Sequence, residues 1–226
     1  MKILNLIKRT TVSLRHITLA AALGALFMPG QASAQTTIAS GTTATVTDPN
    51  GYFGAAGDLT IDNDATLYIQ SSSQGNFTIG NALIFGGAGG TYHMRFNDND
   101  TVYTFNGAVS STATGAQTLA IETGAGGNGD REEVTFDTGL PNVGDASPLG
   151  LQVTFNCQTG SQSYVNLVGL STFTGPITLV KGNNVTSGYL TIGGRLSNGA
   201  NAVGSGSLNG GSYAGNIALG AATILN

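Results

Sequence analysis

The chain of 226 residues contains 35 glycines, and only 9% of its residues are charged while 40% are hydrophobic. Disordered chains combine high charge with low hydrophobicity. The composition therefore excludes a disordered chain, and it suits stacked β-strands joined by turns rich in Gly and Asn. The formal net charge of −4 and the dispersed cations argue against nucleic acid or an anionic membrane as a partner.

Residues 1–34 have the three parts of a cleaved signal peptide. A basic segment comes first, an apolar core follows at 17–27, and Ala-Ser-Ala at 32–34 forms an Ala-x-Ala cleavage site before Gln35. A membrane-spanning helix needs about 17–25 apolar residues, so this core is too short for an anchor. Cleavage would remove four of the eight basic residues and none of the 12 acidic ones. We therefore expect an acidic exported chain.

After the signal, short β-branched or apolar runs alternate with Gly, Asn, Asp and Ser, and no long window has helical spacing. This pattern predicts strands and turns, with no helix beyond the signal. Residues 35–57, which turn at 48–51 (Asp-Pro-Asn-Gly), are expected to cap a solenoid, because an open end exposes unpaired strand edges. The strands predicted from there to residue 168 are 59–61, 65–69, 76–79, 82–85, 92–96, 101–105, 118–121, 134–136, 153–155 and 164–168.

An aromatic-x-Gly-x-β-branched unit occurs at 105–109, 173–177 and 213–217. Recurrence of one strand-turn unit is typical of a solenoid. We therefore predict an all-β parallel β-helix over 58–226. With about 20–25 residues per coil, the chain after residue 34 would form about eight coils.

Residues 170–226 resemble the autotransporter-associated β-strand repeat, also called the passenger-associated transport repeat. The resemblance lies in Ser-Thr-Phe-Thr-Gly at 171–175, followed by Gly-Tyr-Leu-Thr-Ile-Gly at 188–193. The chain departs from the family at Pro176, where a Gly is usual, and in a longer turn at 180–185. The resemblance implies a right-handed, single-stranded parallel β-helix that is the exported passenger of a Gram-negative-type bacterium.

Because the sequence stops within a repeat and the family usually carries an outer-membrane barrel or another anchor, we expect an N-terminal piece of a longer protein. The expected partners are outer-membrane translocation machinery or a C-terminal barrel outside this chain, and an extracellular glycan or cell-surface molecule. The resemblance predicts an adhesin-like stalk, extracellular or at the cell surface, with repeats that assist export. The alternative is a secreted carbohydrate-active β-helix, a lyase or glycosidase.

Two kinds of polar loop resemble ligand sites. Gly124–Gly129 satisfies Gly-x-Gly-x-x-Gly, but Asp130 leads into a strand rather than the helix that a dinucleotide site needs. Asp-Asn-Asp at 62–64 and Asn-Asp-Asn-Asp at 97–100 offer oxygen ligands for calcium, but they lack the other parts of an EF-hand loop. Since Asn and Asp also favour turns, we expect turns, no cofactor and no metal, with incidental calcium binding as the alternative.

Nucleophilic catalysis needs a base beside the nucleophile. His93 is the single histidine after the signal, and no serine-hydrolase motif accompanies it, so we expect a surface or edge histidine. Cys157 is the single cysteine, so an intramolecular disulfide is excluded and a buried core thiol is expected.

Glycosidases and lyases place several carboxylates on one face. Glu132 and Glu133 are adjacent in a predicted strand, so their side chains point to opposite faces and cannot form a pair. We therefore expect no catalytic residue and no enzymatic activity. The other candidate pairs, which would meet only by chance, are Asp58 with Asp62 and Asp137 with Asp145.

Overall fold

The computed structural model describes residues 35–226, with gaps at 56, 72, 125–129, 141–148, 157–160, 170, 172, 174, 183–186, 193–216, 220–222 and 226. The predicted signal peptide and Cys157 lie outside the described residues. In chain order the elements are β1 (Thr36–Ile38), β2 (Thr43–Val46), α1 (Pro49–Ala55), β3 (Leu59–Ile61), β4 (Thr66–Ile69), β5 (Gly75–Ile79), β6 (Leu83–Phe85), β7 (Gly90–Phe96), β8 (Thr101–Phe105), β9 (Val109–Ser111), β10 (Gln117–Thr123), β11 (Arg131–Phe136), β12 (Leu149–Phe155), β13 (Gln162–Leu167), β14 (Ile177–Lys181), β15 (Ser187–Ile192), β16 (Ile217–Leu219) and β17 (Thr223–Leu225).

The strands form three parallel sheets. Sheet A has the order β1-β3-β6-β9, sheet B the order β2-β4-β7-β10-β12-β14-β16, and sheet C the order β5-β8-β11-β13-β15-β17. The early coils pass through all three sheets, and after β9 the described strands alternate between sheets B and C. Each strand pairs in parallel with the strand of the next coil, as the parallel register of β10 with β7 and β12 shows. The fold is therefore a parallel β-solenoid of about five turns, as the sequence predicts.

The coils are not of constant length. Successive partners in sheet B are 23 residues apart from Thr43 to Thr66 and 27 from Thr66 to His93. The step reaches 40 residues between Ile177 and Ile217. The prediction of about eight coils was wrong, because later steps between paired strands are longer than the length of about 20–25 residues assumed for one coil. The hand of the coil stays a prediction.

Parallel register places the same kind of side chain at the same depth in successive coils, so the interior fills with stacked apolar rings. Phe105 is fully buried, and its ring stacks on that of Phe136 with centroids 5.2 Å apart. The rings of Phe96 and Phe53 meet it edge-on at 6.0 and 6.5 Å. These four rings join sheets B and C to α1, and each buried ring contributes a few kcal/mol to folding.

The short helix α1 corrects the prediction that no helix follows the signal. Asp48 caps it, since its Oδ1 accepts a hydrogen bond from the Gly51 backbone N–H at 3.1 Å, and Pro49 occupies the first helical position. Both residues are favoured at these positions. A helix of seven residues is too short to show a periodic apolar pattern, so the Asp-Pro pair was interpreted as a turn.

Residues 35–57 supply β1 and β2, the end strands of sheets A and B, and α1, which packs beside β5 at the end of sheet C. Their function as a cap stays a prediction. Among the described residues, none of the helices is long and apolar enough to cross a membrane.

Replacing Asp48 with Ala removes the cap of α1, and we expect the free energy of unfolding to fall by about 0.5–2 kcal/mol. Urea titration followed by circular dichroism measures this change. Asp48→Asn is the matched control, because its side-chain oxygen still accepts the hydrogen bond from Gly51. An equal loss in both variants would show that the capping hydrogen bond is not the cause.

Candidate functional site

The outer face of sheet B is a half-exposed polar surface. The side chains of Tyr68, Arg95 and Glu122 lie side by side in the register of β4, β7 and β10. Arg95 Nε lies 3.0 Å from Glu122 Oε2, and its guanidinium carbon lies 5.1 Å from the centroid of the Tyr68 ring. Asn156 Nδ2 donates to Glu122 Oε1 at 3.3 Å. Side chains of four coils are thus tied together across the surface, and Glu122 neutralises the charge of Arg95 locally.

A second polar site lies at the corner where the chain passes from sheet B to sheet C. Asp98, in the corner at 97–100, is almost fully buried, and its carboxylate accepts a hydrogen bond from the hydroxyl of Tyr103. Burial raises the pKa of Asp98, while hydrogen bonds from Tyr103 and from the backbone of Ser71 act in the opposite direction. Since Ser71 belongs to the same corner of the preceding coil, the Asp98 carboxylate joins two successive corners.

The Glu132 carboxyl group joins the next two successive coils, at Asp98 and Gly124. The Glu132 side chain is fully buried, and its two oxygens accept hydrogen bonds from the backbone N–H groups of Asp98 at 3.2 Å and Gly124 at 2.5 Å. Burial raises the pKa of Glu132 to about 8, against the opposite effect of these two amides. Two carboxyl groups therefore tie together the backbone of three successive coils, at Ser71, Asp98 and Gly124.

A cleft of about 540 Å³ opens beside Asp98, between the successive corners that contain Ser71 and Asp98. Of the two buried carboxyl groups, Asp98 lines the cleft, whereas Glu132 does not. The eight lining residues are all polar; they are Gln70, Ser71, Ser73, Gln74, Asn97, Asp98, Asn99 and Thr101.

The two Asp/Asn clusters considered for calcium form turns. Asp64 and Asp100 have positive φ angles of 58° and 45°, a conformation that Asp tolerates better than most residues. Asn63 Nδ2 donates to Ser40 Oγ at 3.0 Å, and Asp100 Oδ1 accepts from the Arg131 backbone N–H at 3.0 Å. Within the described part of the chain, no three His, Cys, Asp or Glu side chains gather as a metal site would require.

The remaining candidates are dispersed. His93 lies half-buried on the outer face of sheet B, between Thr66 and Ala120 in the register. Most of the Gly-rich loop at 124–129 lies outside the described residues, as does Asp145, the proposed companion of Asp137. Glu133 is on the face of β11 opposite to Glu132, where it pairs with Arg131.

The hydrogen bond from the Asp98 backbone N–H to the Glu132 side chain was not predicted from the sequence. The alternation of side chains along β11 does indicate that Glu132 is buried. Val134 and Phe136 point inward, so Glu132, two residues before Val134, points inward as well. The partner corner cannot be found in this way, because no pattern in one strand indicates which loop of another coil covers its end.

Comparison with known proteins adds no relative. The chain matches no family model, and neither the curated proteins nor the solved structures contain a match. The fold alone defines the class: the chain is a β-solenoid built from successive parallel coils.

Proposed function

We propose that this chain is an exported β-helical stalk whose outer face makes adhesin-like contacts. The observation that carries the proposal is the outer face of sheet B, where half-exposed or exposed side chains, mostly uncharged, lie in register on six successive strands. One such row consists of Thr43, Thr66, His93, Ala120, Gln152 and Thr178. A long face that repeats weakly binding groups suits multivalent contact, because linked contacts add avidity without a strong single site.

The similarity of residues 170–226 to the autotransporter-associated repeat supports export as the setting for this stalk. The solenoid architecture is the one that the repeat implies, and β14 and β15 lie within the similar region. The signal-like segment at 1–34 agrees with the same route. Stacked coils can fold by propagation from any nucleus, which suits a chain that emerges gradually and folds outside the cell.

A secreted lyase or glycosidase is the second candidate, and the convergence of Asp98 and Glu132 is the observation in its favour. A glycosidase needs two carboxyl groups that flank the scissile bond. Here both Glu132 oxygens already accept backbone hydrogen bonds, and the side chain does not reach the cleft. This geometry favours binding over cleavage. Release of reducing ends from a polysaccharide by the purified protein would favour the enzyme instead.

If the chain is exported, its signal peptide should be cleaved at one defined position. When the full chain is produced in a Gram-negative host, we expect the mature protein to begin at Gln35 and to be recovered outside the cytoplasm. Replacing Ala34 with Arg places a large side chain before the cut and should leave the precursor intact. N-terminal sequencing of fractionated cells checks both outcomes. A wild-type chain that keeps Met1 and stays in the cytoplasm would contradict the proposal.

A further inference from the structure

The cleft beside Asp98, between the successive corners that contain Ser71 and Asp98, is lined entirely by polar residues. It is lined by amide, hydroxyl and carboxyl groups, with a volume of about 540 Å³, which is within the range of small-molecule sites. From this lining we infer that the cleft binds the sugar rings of a neutral oligosaccharide. The inference rests on the proposed surface function and names its ligand class.

The lining matches a ligand rich in hydroxyl groups. Amide side chains such as those of Gln70 and Gln74 both donate and accept hydrogen bonds, and so do the serine and threonine hydroxyls. A sugar hydroxyl also both donates and accepts hydrogen bonds. The polar groups of the cleft and of the sugar can therefore pair with one another, and no unmatched charge is desolvated. Gln70, Ser73 and Gln74 are exposed to solvent at the rim, whereas Asp98 lies buried at the base.

The charges of the cleft select a neutral ligand. None of the lining residues is a lysine, arginine or histidine, so an acidic sugar would meet Asp98 without a cation to balance it. A hard cation such as calcium takes six to eight oxygen ligands, several of them carboxylates. Asp98 is the sole carboxylate among the lining residues, and it already accepts the Tyr103 hydroxyl. Of the ligand classes considered, a neutral ligand with many hydroxyl groups is the one that fits these charges.

The base of the cleft is held in place before any ligand arrives. The Tyr103 hydroxyl and the Ser71 backbone fix the Asp98 carboxylate, and Glu132 fixes the Asp98 backbone N–H at 3.2 Å. A fixed acceptor loses little conformational entropy on binding. A single site of this kind is expected to be weak, and many copies on a cell surface would supply avidity.

Titration of the purified protein with cellobiose, lactose and maltose tests the inference by calorimetry. We expect at least one of these disaccharides to bind with a dissociation constant of about 1 mM, a free energy near −4 kcal/mol. The double variant Gln70→Ala/Gln74→Ala removes two hydrogen-bonding amides and should weaken binding about tenfold or more. Gln162→Ala is the matched control, because it removes an exposed amide from β13 in sheet C, outside the cleft lining, and should leave the dissociation constant unchanged.

Circular dichroism of each variant shows whether the fold is retained. The inference is overturned if none of the three sugars binds, if the double variant binds as tightly as the wild type, or if an oligogalacturonate binds more tightly than the neutral sugars. Because the titration uses purified protein, its failure is distinct from a failure of export. If the chain is exported but binds no sugar, only the inference of sugar binding in the cleft is overturned. If it binds sugar but stays in the cytoplasm, only the proposed surface function is overturned.

Discussion

Replacing Phe105 with Ala is expected to lower the free energy of unfolding by about 3–5 kcal/mol, as large-to-small changes at buried aromatic positions do. The Phe105 ring is fully buried and lies among Phe53, Phe96 and Phe136, at centroid distances from 5.2 to 6.5 Å. Its removal leaves a cavity between sheets B and C and takes away the ring on which α1 rests. Urea titration followed by far-ultraviolet circular dichroism measures the loss.

Thr104→Ala is the matched control, because Thr104 is the preceding residue of β8 and its side chain lies on the outer face. We expect that change to stay within about 0.5 kcal/mol. Phe105→Leu keeps most of the apolar volume and should cost less than Phe105→Ala; it also supplies the comparison if the alanine variant does not fold. Equal effects at positions 104 and 105 would contradict the assigned interior of the solenoid.

The sequence predicted the parallel solenoid because its determinants are local. Alternation of buried and exposed residues along strands such as Thr101–Phe105 and Gln117–Thr123 identifies β-structure. Recurrence of one strand-turn unit then indicates that successive coils stack in the same way. A solenoid coil contacts only its neighbours, so a local repeat is enough to define the architecture.

Features that depend on one particular coil were missed. The helix α1 was interpreted as a turn because the two N-terminal signals, Asp48 and Pro49, occur in turns as well as in helices. The 40-residue step from Ile177 to Ile217 shows the same limit, since the number of residues between two paired strands does not affect their register. No repeat unit contains this information.

The sequence predicted the fold class but not the candidate site. The adjacent pair Glu132 and Glu133 was rejected because the two side chains point to opposite faces. The two side chains do lie on opposite faces, but which carboxyl group is buried, and what accompanies it, is a separate question. The answer depends on the corner at 97–100, which lies in another coil and whose Asn and Asp residues are ordinary turn formers. Stacking, rather than any motif, brings Asp98 to Glu132.

The stability of the protein should fall as the pH rises from about 4.5 to about 8. Burial raises the pKa of Glu132 from 4.5 to about 8, so over this range the folded state keeps a proton that the unfolded state has lost. The stabilisation is fully present below pH 4.5 and is lost as the pH rises through 8. The loss amounts to roughly 5 kcal/mol. Asp98, whose pKa is also raised, acts in the same direction.

Glu132→Gln removes the titrating proton and should flatten most of this slope. Because an amide nitrogen cannot accept a hydrogen bond, the backbone N–H of either Asp98 or Gly124 loses its acceptor, at a cost of about 1–3 kcal/mol. The variant should therefore be less stable than the wild type at pH 5, and the difference should shrink or reverse at pH 9. Urea titrations at both values measure it. Glu133→Gln removes a carboxylate from the outer face of the same strand and should keep the wild-type slope. Parallel pH profiles for the wild type and Glu132→Gln would show that this buried carboxyl group does not titrate with the fold.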